Sequence, residues 1–499
     1  MKLLKIIIIM FWLSLLTTTG QAKINDAGEY LKNSVVQKTM PNGINVIMLD
    51  RGYTPTLALL ISFKVGSVDE SENSIGIAHM LEHMLFKGTD VIGTTDFKKE
   101  KIIQDQIEET GERINYLNIK DPDSKEIKEL TARLNKLQDE QRKYIVASPY
   151  SRIYTGNGGV GFNASTSRDM TTYYIELPAS KLEIWADLES ERLRNPVLRE
   201  FYMEKKAVLE ERLRSYESHG EGSLFEEFIA NAFIAHPYRH PIIGWRSNIE
   251  RFSIKDVREF YKKNYTASRM TITVVGKQNT DDTFKLLIKY FGKLPKGEDR
   301  PEIHTMEPLQ KGEKRFDLVF DSNPYLILGW HKPSFPSKTD YVFEIIESVL
   351  SEGNSSRLNK SLMIDKGLAA SIGAWNGYPG ARYDNLFVIA AMPKYPATPE
   401  KLEEAIYEEL GKTMTGLTDD ELKKVINQKE SAYIFQMDNN MGIARMLSYY
   451  QTNFGNWKYS LDYLKTLKSI TMQDIKETMR MYFTQENRTV GILRTSGKK

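Results

Sequence analysis

The 499-residue chain contains no cysteine. That absence excludes disulfide frameworks, thiol catalysis, Cys-based zinc clusters, thiolate-ligated iron–sulfur clusters and the lipid-anchoring cysteine of a bacterial lipoprotein. Net charge is nearly absent as well: 68 Lys+Arg against 66 Asp+Glu leave +2, which offers no field for nucleic acid or an anionic membrane surface. Beyond the N-terminus no apolar run approaches the roughly 20 residues that a bilayer span requires. Histidine is scarce, at seven residues. A resident metal must therefore be held by a few histidines and carboxylates, and their placement is informative.

The first residues have the layout of a secretory signal. Lys2 and Lys5 precede an apolar run from Ile6 to Leu16, and small residues follow up to Gly20-Gln21-Ala22. A basic start, a short apolar core and small residues at a cleavage site mark residues 1–22 as a signal peptide. An uncleaved membrane anchor is the alternative, and the run is short for it. The expectation is an exported protein, in the bacterial periplasm, with no membrane span after cleavage.

The chain contains itself twice. Ser253 opens SIKDVREFYKKNYTASRMTITVV and Thr471 opens TMQDIKETMRMYFTQENRTVGIL, matching at an offset of 218. Each reads as an amphipathic helix, a short turn and an alternating apolar strand. Met84-Leu85 before Gly88 pairs with Val349-Leu350 before Gly353 at an offset of 265, so the first half is longer by 47 residues. The excess falls between Lys98 and Tyr144. There Ile103, Ile107, Ile114 and Leu117, then Ile127, Leu130, Leu134 and Leu137, recur at helical spacing around the break Asp121-Pro122-Asp123. This predicts a helical-hairpin insertion over 98–144. The fold class is α+β, with two homologous halves of antiparallel sheet packed with helices. The first half covers 23–292, a linker 293–314, and the second half 315–499.

Two of the seven histidines lie together in Gly76-Ile77-Ala78-His79-Met80-Leu81-Glu82-His83-Met84-Leu85-Phe86. His79 and His83, four apart on a helix, share a face and can bind one ion, with Glu82 beside them. A zinc ion with two His and a third ligand keeps a position for water, and a nearby carboxylate can take that water's proton. This is the inverted H-x-x-E-H arrangement. The competing explanation, two hydrogen-bonded core histidines, leaves Glu82 costly to bury on an apolar helix. The third ligand should be a carboxylate from another element. The helix around Tyr202–Arg212 offers Glu204 and Glu211, seven apart and near one face, and Glu210 about 100° away.

These segments resemble the pitrilysin family of zinc peptidases, which includes insulysin and the mitochondrial processing peptidases. The resemblance runs through Gly76–Thr89, Phe162-Asn163-Ala164-Ser165-Thr166-Ser167, Glu204–Glu211, His236-Pro237-Tyr238 and Gly244-Trp245. It implies one zinc per chain on His79, His83 and Glu211, with Glu82 as the catalytic base and Glu204 as a supporting neighbour of the ligands. It also implies that Asn163 and Ala164 lie on an edge strand that pairs with extended peptide substrates. In the second half Glu344 and Ser348 stand where His79 and His83 stand, so that half is a non-catalytic wall. The remaining His219, His236, His240, His304 and His331 read as structural or surface residues.

One departure points to a partner. The family's second half commonly supplies an Arg and a Tyr, seven apart, after a Ser-Ser-Arg-Leu-like segment. Here Ser355-Ser356-Arg357-Leu358 is followed by Met363 and Ala370 at those positions. A donor for the developing oxyanion, worth a few kcal/mol, is thereby lost. The expectation is a zinc endopeptidase acting on peptides or unfolded polypeptides in an enclosed chamber, as the zinc-bearing subunit of a heterodimer whose homologous partner carries the Arg–Tyr pair. The alternative is a non-catalytic scaffold or peptide-binding subunit.

Overall fold

The computed structural model describes residues 28–298 and 302–496. The expected signal peptide, 1–22, lies outside the described residues. The first sheet holds β1 (Val35–Thr39), β2 (Asn45–Asp50), β3 (Thr56–Phe63), β4 (Val160–Thr166), β5 (Thr171–Pro178) and β6 (Met270–Gly276), in the order β1-β2-β6-β3-β5-β4. The second holds β7 (Lys314–Phe320), β8 (Tyr325–Lys332), β9 (Ala369–Tyr378), β10 (Asn385–Pro393) and β11 (Arg488–Thr495), in the order β7-β11-β8-β10-β9. With β1 set aside the two orders are the same. Neither sheet is purely antiparallel as expected: β2 runs parallel to β6 and β7 parallel to β11. The reason is topological. The last strand of each half returns after a long helical excursion and inserts between two earlier ones, β6 between β2 and β3 and β11 between β7 and β8.

The repeated helices Ile254–Asn264 and Met472–Tyr482 begin alike. Ser253 Oγ accepts from the Asp256 N–H while Asp256 accepts from the Ser253 N–H, and Thr471 with Asp474 does the same. These reciprocal caps satisfy donors that a helix start would otherwise leave open.

β6 is buried at every position. The alternation of Thr271 and Thr273 with Ile272 and Val274 thus marks no solvent face, because helices cover both sides of the sheet. On one side lies the first half's own core, including Ile77, Met80, Leu81 and Val208. On the other, Ile47, Leu49, Ala58, Leu60 and Val275 pack against Ile443, Leu447, Trp457 and Leu464 of the second half. The second sheet is treated reciprocally: Ile327, Leu386, Val388 and Leu493 pack against Leu224, Phe228 and Phe233 of the first half. The helices involved, Asn440–Phe454 and Gly220–Ala232, occupy matching places in the two halves. Each half therefore completes the other.

The inserted stretch forms two helices, Phe97–Lys120 and Lys125–Gln141, lying against each other. Their base is tied to the body by a buried pair. Arg199 bonds Glu100 at 2.7 Å and also donates to the carbonyls of Lys87, Thr89 and Ile92, which follow the histidine helix.

Leu447 is fully buried between the halves. Leu447→Ala is expected to cost about 2–5 kcal/mol and to lower the urea midpoint of one shared transition, followed by tryptophan fluorescence. Two separate transitions would show that the halves unfold independently.

Candidate metal centre

The helix Ile77–Met84 buries Ile77, Ala78, Met80, Leu81 and Met84 and leaves His79, Glu82 and His83 half-buried on the opposite side. Its start is built from outside the helix. Gly76 adopts φ +96°, and an added Cβ would come within 2.3 Å of the Ile243 carbonyl oxygen. Gly244, φ +88°, backs onto it so closely that a Cβ there would lie 2.2 Å from the Ile75 carbonyl oxygen. A glycine offers no capping side chain, so the open amides need another acceptor. Glu70 provides it: the N–H groups of Gly76 and Ala78 each donate to its carboxylate at 2.8 Å. Desolvation pushes the half-buried Glu70 carboxyl well above the usual range, against the pull of those two amides.

Glu204 and Glu211 come from the helix Phe201–Arg212. Its position is fixed at both ends. Lys205 donates to the carbonyls of Glu250 and Phe252, and Arg212 donates to the Gly244 carbonyl at 2.6 Å and to Glu226. The second of these ties the helix that carries Glu211 to the loop that backs onto Gly76.

The side chains converge. His79 Nε2 lies 3.6 Å and His83 Nε2 3.7 Å from the two Glu211 carboxylate oxygens. The ligand atoms of the three residues lie within 4.8 Å of one another. The separations are too long for hydrogen bonds and close to the ~3.3 Å that tetrahedral geometry sets between donors bonded to zinc at about 2.0–2.1 Å. His83 Nδ1 faces Glu204 Oε2 at 3.3 Å, which leaves Nε2 free to bind. Glu204 is itself held by Lys87, which also pairs with Glu200 at 3.1 Å. Two imidazoles and a carboxylate, the histidines sharing one helix face, make a donor set that fits zinc.

Electrostatics separate the two histidines. Burial, with the neighbouring His83, pushes His79 down to about 4, so it stays neutral with its lone pair available. Burial also works against a charge on His83, but Glu204, Glu211 and Glu82 override it and hold His83 above its ordinary value. Glu204 is kept below the usual carboxylate range by His83 and Lys87 despite its own burial. Burial raises Glu82, although Thr166 Oγ1 donates to its Oε2 at 2.5 Å.

Thr166 ends β4, and β4 is the last strand of its sheet, paired only with β5. Asn163 and Ala164 lie on this strand with its outer edge open; Asn163 is exposed and Ala164 buried. Met363 is half-buried against the second core, and Ala370 is exposed near the start of β9. Among the other histidines, His219 caps a helix by accepting from Gly222 N–H, and His236 accepts from Tyr238 N–H. Three residues near the metal centre were not singled out from sequence: Glu70, Lys87 and Thr166. A helix opening on glycine signals the need for an external acceptor, and Lys87 falls one turn beyond His83; Thr166 carries no comparable signal.

The second half has its own version of the centre. Helix Lys338–Ser351 places Glu344 where the first half has His79, and Lys429, at the 218 offset from Glu211, faces it at 3.6 Å. Ser348 Oγ donates to Glu352, which Lys429 also approaches, at 3.4 Å. A lysine ammonium thus stands among the residues that replace the ligands.

A duplicated α+β fold with an H-x-x-E-H helix facing a carboxylate helix defines a class of zinc-peptidase folds, and known proteins share it. The family model described as Insulinase (Peptidase family M16) matches residues 45–115 and 152–245, and that described as Peptidase M16 inactive domain matches 251–429. The chain belongs to the M16 peptidases, the pitrilysin family. It is 26% identical over 465 residues to a protein named zinc protease PqqE from Helicobacter pylori, covering 91% of this chain and 92% of that one. A crystal structure of a protease from Helicobacter pylori superposes with a TM-score of 0.78 at 24% identity, over 92% of this chain and 99% of that one. The structure titled periplasmic protease PqqL from Escherichia coli gives a TM-score of 0.67 at 15% identity, over 92% of this chain and 47% of that one.

Zinc binding at His83 would compete with a proton, whose hold the neighbouring carboxylates strengthen. Zinc affinity, measured by chelator competition, is therefore expected to weaken about tenfold per pH unit once pH falls below the raised His83 value. Glu204→Gln is expected to weaken it roughly 10–100-fold at neutral pH.

Proposed function

We propose that this chain is a zinc-dependent endopeptidase that hydrolyses peptides or unfolded polypeptides in an enclosed chamber. The observation that carries the reading is the convergence of His79, His83 and Glu211 beside a carboxyl, Glu82, anchored by an edge strand. His79, His83 and Glu211 would hold the ion, and Glu204 would orient His83. When bound, zinc supplies Lewis acidity toward a scissile carbonyl and acidifies water. Glu82, steadied at Oε2 by Thr166, accepts the water's proton and delivers it to the leaving amine. Its raised affinity for a proton suits both halves of that exchange. The open edge of β4, at Asn163 and Ala164, would hold an extended peptide by backbone hydrogen bonds, which demands little of its sequence.

Met363 and Ala370 leave the second half without the Arg–Tyr donors expected for the oxyanion. The chain would therefore act as the zinc-bearing subunit of a heterodimer, with a homologous partner supplying that pair. Export, in a bacterial periplasm, is supported by the N-terminal residues and by the likeness to a periplasmic protease. Among the described residues no helix is long and apolar enough to cross a membrane. The missing pair also favours a second reading, a non-catalytic, peptide-binding subunit.

Glu82→Gln is expected to keep one zinc per chain by metal analysis and to lose about 10²–10⁴-fold in turnover of a quenched fluorescent peptide. The purified chain alone is expected to be weak, with activity restored by a homologous chain that carries Arg and Tyr at those positions. Zinc bound without turnover in any pairing would favour the non-catalytic reading.

A further inference from the structure

The register of β4 against β5 sorts the substrate-facing edge into two sides. Ala164 pairs with Tyr173 and Asn163 with Tyr174. Ala164 and Tyr173 belong to the core that contains the histidine helix, and Thr166, of the same parity, reaches Glu82. Asn163 and Tyr174 therefore face the other side. There Tyr174 packs with the cluster formed by the helix Asn440–Phe454, and the Arg445 guanidinium of that helix lies over its ring, 4.2 Å from the centroid.

Arg445 is exposed and forms no ion pair among the described residues. It lines a cavity of about 490 Å³ together with Tyr449, Tyr450, Tyr463, Glu344 and Lys429. The Lys429 charge is answered by Glu344 at 3.6 Å and Glu352 at 3.4 Å. Arg445 is thus the cation here that lacks a carboxylate partner, and its ring contact holds the flat guanidinium in place.

Resting on the endopeptidase reading, we propose that Arg445 is a specificity residue that recognises a substrate carboxylate. A peptide paired along β4 shares faces with its neighbours, so the residue beside Asn163 turns its side chain toward Tyr174 and Arg445. Asn163 is three residues from Thr166, which marks the Glu82 end. At about 3.3 Å per residue the recognised position lies about 10 Å, or three residues, from the scissile bond. The carboxylate comes from an Asp or Glu side chain or from a peptide C-terminus at that distance.

The test uses the zinc-loaded chain with its Arg–Tyr partner and peptides that differ only three or four residues from the cleaved bond. Cleavage is expected in the order Glu, Gln, Lys, with Glu favoured over Gln roughly three- to tenfold in kcat/KM, chiefly through KM. Arg445→Glu is expected to reverse the order. Peptides ending at that position as free acid or amide separate a C-terminal carboxylate from a side-chain one. Unchanged ratios between Arg445→Glu and the parent chain would overturn the proposal. Binding of the same peptides to zinc-loaded Glu82→Gln, read by fluorescence anisotropy, separates the two ideas. The charge order in Kd and its reversal by Arg445→Glu would uphold the carboxylate site even if no pairing cleaves peptide, which would sink only the endopeptidase reading. No charge order in Kd would overturn the site.

Discussion

Everything in this molecule rests on the reciprocal covering of two sheets. A sheet whose strands are apolar on both sides needs cover on both sides, and each half supplies only one layer for itself. The helix Asn440–Phe454 closes the first sheet and Gly220–Ala232 closes the second, so the interface between halves is made of core, as in an obligate assembly. The metal centre inherits its rigidity from this arrangement. The strand that anchors Glu82 through Thr166 belongs to a sheet that is complete only because the far end of the chain lies on its back.

Within that frame the centre is assembled from several short tethers. Glu70 holds the first amides of the histidine helix, the Gly76–Gly244 contact sets its entry, and Arg212 joins that same loop to the helix that carries Glu211. Lys87 and Glu204 then orient His83. Two helices distant in sequence are thereby held close enough for three donors to lie within reach of a single ion. The charges are matched as well: a His79 held down by burial and an acid-flanked His83 would suit a dication.

Much of this was legible in the residues. His79, Glu82 and His83 announce themselves by spacing because histidine is rare in this chain, and the paired segments at Ser253 and Thr471 betray the duplication through their shared helix–turn–strand pattern. Other features left no local trace. The parallel pairs and the exchange of covering helices depend on how segments hundreds of residues apart meet. The strand Met270–Gly276 looks amphipathic only because its two threonines, Thr271 and Thr273, are small enough to bury. Glu70 sits outside the helix it supports, and nothing in its surroundings separates it from the other surface acids nearby.

The pairing of Glu344 with Lys429 carries a consequence for how the two halves respond to their surroundings. An ion held at the first half's centre could be withdrawn by a chelator; the second half's cation is a side chain and cannot leave. Stripping metal should therefore loosen one centre and spare the other, making the molecule lopsided in rigidity although its architecture is nearly symmetric. A duplicated protein would in this way keep one position open to exchange with the environment, its twin being sealed with a built-in charge.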